Sequence, residues 1–221
     1  MTASEVIEAL ERHRSSTELA KVRKRLPAGE EAIGLRMRDL FDTAHAHGDI
    51  GLDEVDRLLG HASYEARMAA FCILDFKARK RLDERQRRNL YDLYLARHDR
   101  ISTWDMVDRA APRVVGGYLA GRPFAPLEEL ARSAAPLERR TAITAPLFFV
   151  KSGPDEGVAG GFAIAATLAT DPDPVVHNAV GIFLKHAGRR APATLERFLA
   201  EHADAMPRPA LRLATEHLRR P

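Results

Sequence analysis

Apolar residues recur at spacings of three and four along almost the whole chain, and no segment alternates apolar and polar residues for long enough to make a strand. The stretches "LYDLYLARH", "LEELARSAA", "FAIAATLAT" and "ATLERFLAEH" each carry one apolar stripe and predict amphipathic helices. Gly and Pro collect between them, in "LPAGEE", "HGDIGLD", "AGRPFAP", "KSGPDEG", "TDPDP" and "DAMPRP", and separate runs of about 10 to 16 residues. The pattern is helix, turn, helix throughout.

Three stretches resemble one another when stacked: "HASYEARMAAFCILDF" (61–76), "SAAPLERRTAITAPLFF" (133–149) and "TDPDPVVHNAVGIFLKHA" (170–187). Each opens on a short polar turn and continues into a helix with a polar residue, Arg67, Arg140 or Asn178, ahead of an apolar run. These positions lie 73 and 38 residues apart, close to two units and one unit of an internal repeat. A period in that range fits helical-pair repeats of the HEAT kind, whose units cannot bury their apolar faces alone and therefore stack. The expected fold is all-α, a right-handed superhelical stack of HEAT-like helix pairs (an α-solenoid) with a concave basic face, formed by residues 1–221 as a single domain.

The chain has 221 residues, 45% of them hydrophobic, and a net charge of +3. No apolar run approaches the roughly 20 residues of a membrane span, and the opening "MTASEVIEALERHR" lacks the apolar core of a signal peptide. A cytoplasmic, membrane-free monomer is expected. The one cysteine, Cys72, lies in the apolar run "AAFCILDF" and reads as a buried, inert thiol. Cations are clustered: "KVRKR" (21–25) holds four and no acid, and "KARKRLDERQRR" (77–88) holds seven against two acids. Arg139 and Arg140 in "ERR", and Lys185 at the head of "KHAGRR", extend the series, which reads either as a phosphate footprint or as solvated helix faces.

The sole tryptophan lies in "ISTWDMVDRAAPRV" (101–114). Ser102 and Asp105 fit an N-cap followed by a carboxylate at the third helical position, and Arg109 is a four-residue partner for Asp105. Trp104 and Asp108 are four residues apart, so they project from one helix face about one turn apart. They can touch the same ligand, or Trp104 can pack between repeats while Asp108 caps a helix or meets a distant arginine.

"TWDMVD" followed by "AAP", with a later "RRTAI" opening a repeat helix, resembles the bacterial DNA alkylation-repair glycosylases of the AlkD type, which are built from HEAT-like repeats. The resemblance implies that Trp104 and Asp108 face the lesion, with Ile182 at the position of a further lesion contact, that Asp108 is catalytic, and that Arg140 approaches the DNA backbone; Arg139 and Lys185, from the neighbouring basic groups, are expected to bind the backbone beside it. Arg140 can alternatively be a repeat-stabilising residue, as Arg67 at the earlier equivalent position suggests. Where the family carries a second tryptophan this chain has Ile182, and no tyrosine precedes Tyr64 where the family often has an aromatic residue.

The implied activity is that of a monofunctional, metal-independent DNA glycosylase without a cofactor, releasing cationic N-alkylated purines of the 3-methyladenine and 7-methylguanine class from duplex DNA. One carboxylate suits that chemistry. Positive charge grows on the sugar as the base departs, and an alkylated purine, already cationic, leaves without a proton donor. The alternative is a non-catalytic HEAT-repeat module that binds DNA or protein. His45 and His47 lie two apart and diverge on a helix, so no metal site is expected. The pairs in "VVGGYLAGR" and "VAGGF" fit close helix packing or turns better than a phosphate loop.

Overall fold

In the computed structural model, residues 1–216 and 218 are described, with backbone only at Ser152. Every regular element among them is helical, and the one extended pairing is an isolated bridge between Glu31 and Ser63. The chain divides into two compact units, Met1–Ala110 and Ala111–Pro221.

The first unit contains α1 (Ala3–Glu11), α2 (Ser16–Arg23), α3 (Met37–Ala46), α4 (Leu52–Leu59), α5 (Tyr64–Ala78), α6 (Glu84–Ala96), a 3₁₀ turn (His98–Arg100) and α7 (Trp104–Ala111). Its centre is α5, buried at every residue from Tyr64 to Asp75 and packed by α3 and α4. A helix buried all round carries no polar stripe, which is why "AAFCILDF" reads as continuous apolar sequence. Cys72 lies fully inside, and burial pushes its thiol up to about 12, as an inert core residue requires. Capping boxes at Thr2/Glu5 and Asp83/Gln86 start α1 and α6.

The second unit opens on a π-helical turn (Pro112–Gly116) and continues through α8 (Ala125–Ala131), α9 (Pro136–Thr144), α10 (Leu147–Ser152), α11 (Asp155–Thr167), α12 (Pro174–Arg190), α13 (Pro192–His202) and α14 (Arg208–Ala214). Here α12 is central, packed by α9 and α14. The glycine pairs serve close packing, as read from the sequence. A methyl on Gly116 would come 2.9 Å from Phe148 Cβ, and one on Gly161 would come 2.9 Å from Pro146 Cβ. The π turn also has a local cause: Pro112 has no N–H to give the carbonyl of Asp108, and the Gly117 amide reaches back to the Pro112 carbonyl instead.

The three stretches that resemble one another in sequence share a contact, at a register different from the one read from the chain. The fourth residue of α5, Arg67, donates to the carbonyl of His61 at 2.8 Å; the fourth of α9, Arg139, donates to that of Ser133 at 2.9 Å; the fourth of α12, His177, contacts that of Asp171 at 2.6 Å through Nε2. Each side chain thus reaches six residues back and closes the turn that precedes its own helix. The equivalent positions are Arg67, Arg139 and His177, one residue before Arg140 and Asn178 in the last two. The first two clasps also hold an acid: Arg67 pairs with Glu30, and Arg139 grips Asp171 through Nε at 2.6 Å and a second nitrogen at 3.1 Å.

Candidate active site on helix α7

Helix α7 presents three stripes. Met106, Val107, Ala110 and Ala111 are fully buried and seat the helix. Asp105 and Arg109, one turn apart, form a polar anchoring stripe. Trp104 and Asp108, offset from them by about 100°, form the third.

The anchoring stripe is held at both ends by residues distant in sequence. Tyr64, buried at the start of α5, donates its hydroxyl to Asp105 Oδ2 at 2.6 Å, and Arg25 reaches the same oxygen at 3.3 Å. Thr103 Oγ1 and the Met106 amide donate to Oδ1 at 2.5 and 3.1 Å. Burial first, and then the Asp105 carboxylate, push the Tyr64 pKa far up, so the phenol stays a donor throughout the physiological range. One turn on, the Arg109 guanidinium lies between the rings of Phe41 and Phe76, 4.8 and 4.7 Å from their centroids, and pairs with the fully buried Asp75 at 3.3 Å. Arg79 holds the same carboxylate at 2.7 Å. Arg109 Nε is buried without a hydrogen-bond partner among the described residues, so the aromatic faces do much of the holding.

These contacts revise two local expectations. Arg109 serves Asp75 on α5 rather than Asp105, because a buried carboxylate needs a cation more than an already satisfied one does. Ser102 is engaged with Glu30 at 3.1 Å and with Arg67, while the helix begins at Trp104.

On the third stripe, Trp104 is 54% exposed. Apart from Met1 and Leu218 near the chain ends, it is the one large hydrophobic side chain left in solvent among the described residues, which sets aside the reading that it packs between repeats. Leaving it out forgoes about 2 kcal/mol of burial. Asp108 is half-buried one turn away.

The other expected site residues lie in the second unit. Arg140 is 3% exposed and donates to the Val175 carbonyl, so its guanidinium is spent inside; Arg139 is the clasp described above. Lys185 pairs with Glu216 at 2.7 Å, and Ile182 is half-buried one turn before His186 on α12. Among the described residues no three His, Cys, Asp or Glu side chains gather as metal ligands, and no helix is long and apolar enough to cross a membrane.

The sequence model of a family described as "DNA alkylation repair enzyme" matches residues 6–218. The chain belongs to the DNA alkylation repair enzyme family. Among solved structures it is similar to a predicted DNA alkylation repair enzyme from Enterococcus faecalis, at 12% identity with a TM-score of 0.69, covering 95% of this chain and 98% of that one. At that identity the likeness is one of fold. No curated protein matches the sequence. Membership in the DNA alkylation repair enzyme family supports an enzymatic role in DNA repair with DNA as the partner.

Proposed function

We propose that the protein is a monofunctional, metal-independent glycosylase that hydrolyses the N-glycosidic bond of cationic N-alkylated purines in duplex DNA, with Asp108 as the catalytic carboxylate and Trp104 against the lesion. The exposure of Trp104 on the Asp108 face carries this reading, because an exposed indole held by so firmly anchored a helix costs stability that contact with a ligand would recover. An electron-poor alkylated base or its sugar suits the indole face.

In the reaction, the bond between the sugar C1′ and the purine nitrogen breaks and its electron pair neutralises the departing base. Asp108 stabilises the positive charge left on the sugar more in the transition state than before it. Water adds to C1′ and releases one proton to Asp108 or to solvent. The anchoring stripe matters because this carboxylate works by position: a group that need not reorganise as charge develops is worth far more than a mobile one.

The test is release of free base from duplex DNA carrying 7-methylguanine or 3-methyladenine. Free base expected from the wild-type chain supports the reading; none, with binding of the same duplex intact, replaces it with that of a binding module. Ile182→Trp is expected to raise the excision rate or the retention of alkylated duplex, since it adds a large contact surface at small entropic cost. A lower melting temperature with unchanged excision would make Ile182 a packing residue.

A further inference from the structure

Arg139 and Arg140 are committed to internal partners, which leaves other cations of the second unit to meet a polyanion. Ile182, Lys185, His186 and Arg189 fall at i, i+3, i+4 and i+7 on α12 and share one face. His186 and Arg189 are exposed on it, and so is Lys151 on α10, which packs against α12. Arg190 fixes that packing: it donates to the Phe149 carbonyl, to the Gly153 carbonyl at 2.7 Å and to Asp155 at 2.7 Å, and so clamps both sides of the turn that carries Lys151. Among the described residues neither Lys151 nor Arg189 has an ion-pair partner, whereas Lys185 is paired with Glu216 and Arg190 with Asp155.

We propose that Lys151, His186 and Arg189 form the surface by which the second unit grips the DNA backbone, taking a phosphate where an exposed cation of α10 meets two exposed side chains of α12. The proposal rests on the DNA-repair reading above and assigns its backbone contact to residues other than Arg139 and Arg140. Charge complementarity decides the occupant: two exposed cations, Lys151 and Arg189, flank an imidazole that can donate as well, and phosphate oxygens accept from all three.

The same geometry couples binding to pH. His186 is held below its ordinary value, by partial burial first and then by Arg189, Lys185 and Lys151, with Glu216 opposing them. A phosphate set among these cations adds a negative charge beside His186, offsets part of their repulsion of a proton and raises the His186 pKa. Between the lowered value of the free protein and the raised value of the complex, binding therefore takes up a proton, and affinity increases as pH falls.

The experiment uses the full chain and a short unmodified duplex, with affinity measured against salt at pH 7.5 and pH 6.0, and base release from methylated duplex measured beside it. Arg189→Ala and Lys151→Ala are each expected to reduce the salt slope by about 0.9, the value for one phosphate contact, with unchanged melting temperatures. His186→Gln is expected to lose most of the gain in affinity at the lower pH. Wild-type slopes and a wild-type pH response in all three variants would overturn the surface while leaving base release, and so the glycosylase reading, standing. Duplex binding that depends on these residues in a chain releasing no base would support the surface and remove the enzyme.

Discussion

Asp108→Asn will suppress release of 7-methylguanine from duplex DNA by about 100-fold or more, equivalent to about 2.7 kcal/mol of transition-state stabilisation. The amide matches the carboxylate in shape but carries no charge to offset a cationic sugar. Affinity for unmodified duplex is expected to hold or improve slightly, because a negative charge leaves a surface that meets phosphates. The comparison that matters is single-turnover excision against duplex binding on the same preparation. Equal excision by wild type and variant would remove Asp108 from the chemistry. Asp105→Asn is not a neutral control, although its place one helical residue after Trp104 invites that use. Asp105 accepts from Tyr64, Arg25, Thr103 and the Met106 amide, so its substitution disturbs the anchor of α7 as well as the charge.

Asp75→Ala is expected to cost about 3 kcal/mol or more in the unfolding free energy of the first unit, read by urea denaturation of the full chain. The side chain is fully buried and shared by Arg79 and Arg109, so its removal strands the Arg109 guanidinium between two phenylalanine rings with no counter-charge. Breaking one side of a buried pair costs far more than the pair contributes, because the remaining ion keeps its desolvation penalty. A loss below about 1 kcal/mol would show that the rings alone hold Arg109 and that Asp75 is incidental. The effect should also reach excision, since Arg109 sets the rotation of the helix that carries Asp108.

The helices and their breaks were readable in the chain because each is a local matter: apolar spacing sets the helix, and Gly and Pro set the turn. The likeness of the three stretches was readable too, but the register of their shared contact was not. Two arginines stand side by side at 139 and 140, and the apolar run that follows cannot say which of them is fourth in its helix and turns back onto Ser133. In the third unit of the repeat the same position is a histidine, so residue type gives no guide. The candidate pair of Trp104 and Asp108 followed from spacing, whereas its support did not. Tyr64 and Asp75 lie 41 and 34 residues before their partners, Asp105 and Arg109, and nothing near α7 announces them. The basic runs left two readings open, and the partners that decide between them are again distant or a turn away: Lys80 turns to Asp49, Arg79 to Asp75 and Arg25 to Asp105, so part of the possible phosphate footprint is structural pairing.

Trp104 is the one tryptophan of the chain, and it stands in solvent on the helix that also carries Asp108. Excited at the red edge of its absorption, the protein therefore emits from a single address. A stacked purine quenches indole fluorescence, and a departing base relieves the quench, so approach of the duplex and loss of the base would register as two optical phases of opposite sign in unlabelled protein. If the proposed reaction holds, the molecule supplies its own clock for separating encounter from bond cleavage.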